Sequence, residues 1–117
     1  MASLENKIAL ITGAASGIGR ESATRMASDG ATIMCADRDL PGAQNTANII
    51  IQEGGQASYL ELDVSDEAAV KAAIDGTVEA FGGLDIVFNN AGVGGRDIGW
   101  EQTISINLSG VYYGVFH

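Results

Sequence analysis

Short apolar runs alternate with longer amphipathic stretches along this 117-residue chain, and glycines mark most of the changes of period. Lys7-Ile8-Ala9-Leu10-Ile11-Thr12 is apolar without polar alternation, as a strand buried on both faces of a parallel sheet requires, and it runs into a glycine-rich turn. From Gly17 the period becomes helical, with Ile18, Ala23, Met26 and Ala27 on the core face and Gly30 as the stop. Thr32–Ala36 predicts a second strand. Ala43–Glu53 predicts a helix presenting Ala43, Ala47, Ile50 and Ile51, ended by Gly54-Gly55, and Ala57–Leu62 a third strand. Ser65 is placed as the next N-cap, with Asp66 and Glu67 in the first turn. Val70, Ala73, Ile74, Val78 and Phe81 then keep helical spacing as far as Gly82-Gly83. Leu84–Asn89 predicts a fourth strand.

Strands alternating with amphipathic helices at this spacing predict right-handed crossovers and an α/β fold: a Rossmann-like, doubly wound parallel sheet, incomplete at about four strands with flanking helices. No linker divides the chain, so residues 1–117 read as a single domain or a piece of one. Near the end, Ile104, Leu108, Val111, Val115 and Phe116 fall at helical spacing and run to His117 without a cap. That pattern predicts a helix cut mid-course, and the fourth strand is expected to stand as an apolar edge. Both features predict further sequence downstream.

Composition narrows the partners. Hydrophobic residues make up 46% of the chain and charged residues 18%, so it has the apolar material to fold. A formal net charge of -9, with six Lys and Arg, disfavours nucleic acid and anionic membranes, because phosphate backbones are bound by basic patches. The N-terminus has no leader-like pattern and no stretch suits a bilayer span, so a cytoplasmic location is expected. Asn107-Leu108-Ser109 matches a glycosylation sequon, which has no use without secretion. Cys35, the single cysteine, sits in an apolar run and reads as a small buried hydrophobe.

Candidate chemistry begins at Thr12-Gly13-Ala14-Ala15-Ser16-Gly17-Ile18-Gly19, between a strand and a helix. Glycines there let backbone approach a pyrophosphate, and the helix N-terminus adds unpaired amides and partial positive charge. The spacing is G-x-x-x-G-x-G, not G-x-G-x-x-G, and such a turn also serves tight strand-to-helix packing. Asp37, closing the second strand, stands about 20 residues past the turn, where a carboxylate accepts hydrogen bonds from an adenine ribose. It favours NAD over NADP by repelling the extra phosphate, partly offset by Arg38. A solvated Asp-Arg-Asp turn and the ribose of S-adenosylmethionine remain alternative accounts of the same residues.

Together these residues resemble the short-chain dehydrogenase/reductase family, whose nucleotide turn has the form seen at Thr12–Gly19. Asn89-Asn90-Ala91-Gly92 after the fourth strand and Asp63-Val64 after the third resemble two further family motifs, in the family's order. The resemblance covers essentially the whole chain and sets the methyltransferase reading aside. It implies that Gly13, Ser16, Gly17, Ile18 and Gly19 line the pyrophosphate of NAD and that Asp37 holds the adenosine ribose. It further implies that Asp63 and Val64 flank the adenine, with Asn90, Ala91 and Gly92 supporting the middle of the cofactor. For Asp63, a helix-capping carboxylate beside Ser65 is an equal alternative. Asn107 resembles the family asparagine that holds a water of the proton relay, a catalytic role that can coexist with a structural one at a helix kink. The segment Val93–Trp100 is short for the family, and Trp100 reads as a packing residue.

The resemblance implies hydride transfer between NAD and a small-molecule alcohol or ketone, and a homo-oligomer through the helix begun at Ile104 and the one after it. The family's catalysis uses a serine and a tyrosine with a lysine four positions later, because an unperturbed phenol is a poor base at neutral pH. Here Tyr59 is followed by Asp63, Tyr112 by Phe116 and Tyr113 by His117 at that spacing. The lysines are Lys7 and Lys71, on the first strand and the third helix. The chain is therefore expected to carry the cofactor-binding part, to stop before the catalytic segment, and to be inactive alone. A non-catalytic dinucleotide-binding module and a truncated product without function are the competing readings.

Overall fold

The computed structural model describes residues 3–90 and the backbone of 103–106. Its elements in chain order are β1 (Ile8–Thr12), α1 (Gly17–Ser28), β2 (Thr32–Asp37), α2 (Leu40–Gln52), β3 (Gln56–Glu61), α3 (Glu67–Phe81), β4 (Ile86–Asn89) and β5 (Thr103–Ile106). The sheet order is β3-β2-β1-β4-β5. β1 pairs in parallel with both β2 and β4, and β2 with β3, so four parallel strands form an incomplete Rossmann-like α/β fold. β5 pairs antiparallel to β4, Ile86 opposite Ile106.

The continuous apolar strands are explained by two cores. Ala9, Ile11, Ile33, Cys35, Ile86 and Phe88 point to one face, where Ala23 of α1 and Ala43, Ala47 and Ile50 of α2 cover them. Leu10, Met34, Ala36 and Val87 point to the other, where Val70, Ala73 and Ile74 of α3 cover them. The side chains alternate, but both faces are dry, so the sequence shows no polar interruption. Chain direction follows: β1 to β3 wind outward under α1 and α2, and α3 then carries the chain to the other side of β1. The strand order thus reverses between β1 and β4, and an open α/β sheet has its crevice at that point, beyond the carboxyl ends of the strands.

Local signals fix where elements begin and end. The Asp39 carboxylate accepts the Gly42 amide at 3.0 Å, and Pro41 stands in the first turn, so α2 begins three residues before its apolar period shows. α3 is capped by Asp66, which accepts the amides of Ala68 and Ala69 at 3.0 and 3.2 Å, and not by Ser65 as the sequence suggested. Ser65 instead donates to Asp63 from both its amide and its hydroxyl, which takes its side chain out of the helix. Gly82, at φ 88, ends α3 in a left-handed residue.

Three further expectations are corrected. Ile18 is 61% exposed, because it stands in the open first turn of α1 rather than over the sheet. Ile51 and Val78, one step off the buried stripes of α2 and α3, are exposed as well. The helix read from Ile104 begins instead as the strand Thr103–Ile106. Three of its four residues are β-branched, which favours an extended backbone, and pairing with β4 covers the edge expected to stand open. The rest of that reading, and Trp100, lie outside the described residues. Among the described residues no helix is long and apolar enough to cross a membrane.

Adjacent residues on α2 test this packing. Ile50 is 1% exposed and Ile51 51% exposed, although both were read as core. Ile50→Ala is expected to lose about 3 kcal/mol of stability in urea unfolding. Ile51→Ala should change it by less than about 0.5 kcal/mol. Equal losses would contradict the α2 packing.

Candidate nucleotide-binding site

The carboxyl ends of β1 and β4 are joined by one hydroxyl. Thr12 Oγ1 donates to Asn89 Oδ1 at 2.9 Å and accepts from the Asn90 amide at 2.9 Å, and the threonine is buried. It serves as donor and acceptor at once, which a valine of the same shape cannot do. β1 then enters the glycine turn, whose first half is fastened to β2 and α2. The Ala14 amide donates to the Ala36 carbonyl at 3.1 Å, and the Ala15 amide to Asp37 Oδ2 at 2.9 Å. The Ala14 carbonyl accepts the Thr46 hydroxyl at 2.7 Å.

The second half of the turn faces outward. Ser16 is the N-cap of α1 in extended conformation, its side chain making no capping bond, and Ser16, Gly17 and Ile18 are all exposed. The first amides of a helix have no intrahelical partner, so this end presents donors and partial positive charge to solvent. Among the described residues no side chain crowds Gly17: a Cβ there would meet nothing within 4 Å, and its φ of +60 calls for glycine. Gly19 is glycine for the opposite reason. A Cβ there would run into the Gly13 carbonyl and stand 2.8 Å from Asn90 Nδ2, so α1 is pressed against both the turn and the end of β4.

The other site residues named from sequence fall around this turn. Asp37 ends β2 with Oδ2 on the Ala15 amide and Oδ1 on the Asp39 amide at 2.9 Å, so its carboxylate is already aimed by backbone beside the turn. Each oxygen has a second lone pair. Asp63 and Val64 follow β3 toward the same end of the sheet. The Ser65 hydroxyl, and after it the Ser65 amide, holds the Asp63 carboxyl below the usual carboxylate range. Asp63 therefore organises the entry to α3, although Asp66 makes the cap itself. Asn90 meets the turn at Gly19, whereas Ala91, Gly92 and Asn107 lie outside the described residues.

Two residues that sequence reasoning passed over complete the turn. Thr46 and Arg20 belong to helices whose period was read only for apolar positions, and the sequence signal open to inspection was a threonine inside the buried stripe of α2. Cys35 is buried, as its run suggested, and burial pushes its thiol up to about 12, against a smaller opposing effect of the Arg20 charge.

This arrangement agrees with comparison to known proteins. Residues 7–116 match the profile of short chain dehydrogenase. The chain belongs to the short-chain dehydrogenase family. The cyclohexanol dehydrogenase of Acinetobacter sp. (strain SE19) is 36% identical over 120 residues, a match covering 96% of this chain and 48% of that protein. The levodione reductase of Leifsonia aquatica is 36% identical, covering 94% and 45% respectively. The crystal structure of a hydroxysteroid dehydrogenase from Escherichia coli superposes with a TM-score of 0.76 at 39% identity, over 79% of this chain and 39% of that one. This short-chain dehydrogenase chain thus spans about half the length of the curated relatives it matches.

The two glycines separate crowding from backbone strain. Gly17→Ala is expected to cost about 1 kcal/mol, the left-handed penalty alone. Gly19→Ala should cost about 2 to 3 kcal/mol, since backbone must move. Urea unfolding of both variants reads the difference, and equal losses would contradict the close approach at Gly19.

Proposed function

We propose that this chain binds a nicotinamide dinucleotide, with preference for NAD, as the cofactor part of an oxidoreductase acting on an alcohol or carbonyl group. The observation that carries the reading is the glycine turn at the β1–β4 switch point, fastened on its inner side and open at Ser16–Ile18. Those residues fit the group. Gly13, Ser16, Gly17, Ile18 and Gly19 would bind the paired phosphates, through amides that need not be reoriented. Asp37 would accept from the adenosine ribose with its remaining lone pairs, its carboxylate already held by two amides. Asp63 and Val64 would border the adenine, and Asn90, Ala91 and Gly92 the middle of the cofactor. The bound dinucleotide supplies the hydride chemistry.

Substrate activation in this family needs a tyrosine with a lysine four positions on, and these 117 residues contain no such pair. The described residues therefore bind and orient, and turnover belongs to the protein as a whole. Asn107 would hold a water of the proton relay there. The names of the relatives, among them a cyclohexanol dehydrogenase and a levodione reductase, support a small-molecule alcohol or ketone as the substrate class.

Asp37→Asn tests the cofactor preference, because it keeps an oxygen for the Ala15 amide and removes the charge. In the protein expressed from its whole reading frame, the ratio of NAD to NADP affinity should fall about tenfold, as the repulsion of the extra phosphate disappears. An unchanged ratio would remove Asp37 as the discriminating residue.

A further inference from the structure

Thr46 lies on α2, outside the residues assigned to the cofactor, yet its hydroxyl reaches the glycine turn. It is 0% exposed, and its proton has two acceptors in range: the Ala14 carbonyl at 2.7 Å and the Gly42 carbonyl, one turn back in its own helix, at 3.3 Å. A helical threonine ordinarily bonds back into its own helix. Arg20 shifts that choice. Its Nε donates to Thr46 Oγ1 at 2.9 Å, so the hydroxyl oxygen is already accepting, and its Nη2 donates to the Gly42 carbonyl at 3.4 Å, competing for the alternative acceptor. The Thr46 proton is left to the Ala14 carbonyl. The packing agrees: a Cβ on Gly42 would stand 2.6 Å from that of Ala15, so α2 lies directly against the turn.

We propose that Thr46 is a positioning residue for the phosphate-binding turn, and that Arg20 sets the direction of its hydroxyl. Carbonyl 14 drawn inward toward α2 keeps the following peptides of the turn facing outward, toward the phosphates. This rests on the dinucleotide reading above. Asp37 holds the Ala15 end of the same peptide but keeps a second anchor on the Asp39 amide, so loss of the Thr46 bond falls mainly on the phosphate half of the ligand.

The test uses the protein expressed from its whole reading frame, with NADH, ADP and adenosine as probes. The native protein should bind NADH, read by fluorescence. Thr46→Val keeps the volume and loses the hydroxyl; ADP should bind it about tenfold more weakly, one buried hydrogen bond's worth, with adenosine changed by less than about twofold. Thr46→Ser should restore ADP to within about threefold of native. Native-like ADP binding by Thr46→Val overturns the positioning role and leaves the dinucleotide reading standing. A uniform loss for ADP and adenosine, or no rescue by serine, overturns the role as well. Absence of NADH binding by the native protein overturns both. Should Thr46→Val not fold, Arg20→Lys keeps the charge and loses the Nε bond. It should weaken ADP selectively by about threefold, and native-like ADP binding there overturns the proposal.

Discussion

The Thr12 hydroxyl joins the two arms of the sheet where they diverge. β1 stands between β2 and β4, parallel to both, and its last residue both gives a hydrogen bond to Asn89 and takes one from Asn90. That tie adds to the β1–β4 ladder, which finishes at this point. Buried hydroxyls cost free energy when unpaired, so the threonine holds both partners or destabilises the strand it closes. The position of Asn90 against Gly19, and so of α1 against β4, depends on it.

From that point a division of labour runs through the turn. Its inner half is engaged, with Ala14 bonded through both its amide and its carbonyl and Ala15 bonded to Asp37 through its amide. In the outer half, the Ser16 side chain makes no capping bond. A binding surface made of backbone gains from this arrangement, because the groups that would meet a ligand are ordered before it arrives. Asp37 belongs to both halves: it fastens the turn and stands where the nucleotide sugar is proposed to lie. A charge change at this residue therefore acts on the shape of the site as well as on its preference.

Sequence patterns revealed the sheet well, for a physical reason. β1, β2 and β4 are buried on both faces, and a run such as Ile8–Thr12 has few other ways to satisfy so many apolar side chains. The glycine turn was equally legible, since its strand-to-helix setting restricts what glycines there can do. Helix faces were read less well. Ile18, Ile51 and Val78 keep an apolar period yet are exposed, because a stripe's period does not say how wide the covering sheet is. The Ser65 and Asp66 exchange arose because Asp63 captures the serine, a contact that depends on the fold of the loop. Thr103–Ile106 satisfied a helical period and a strand's alternation alike, and the uncovered edge of β4 decided between them. Thr46 and Arg20 were harder to read for another reason: a threonine inside the apolar stripe of α2 was the one signal, while its partner is a backbone carbonyl 32 positions away and Arg20 reaches Thr46 from a different helix.

The central claim is that the amides from Gly13 to Gly19 receive the paired phosphates of a dinucleotide. Amide chemical shifts of the isotope-labelled whole protein, followed by NMR as NADH is added, test it most directly. The account predicts that the largest changes fall on Ser16–Gly19, with those of Asn90 beside them. Saturating NADH that leaves those amides unmoved, or that moves a different surface, would contradict it.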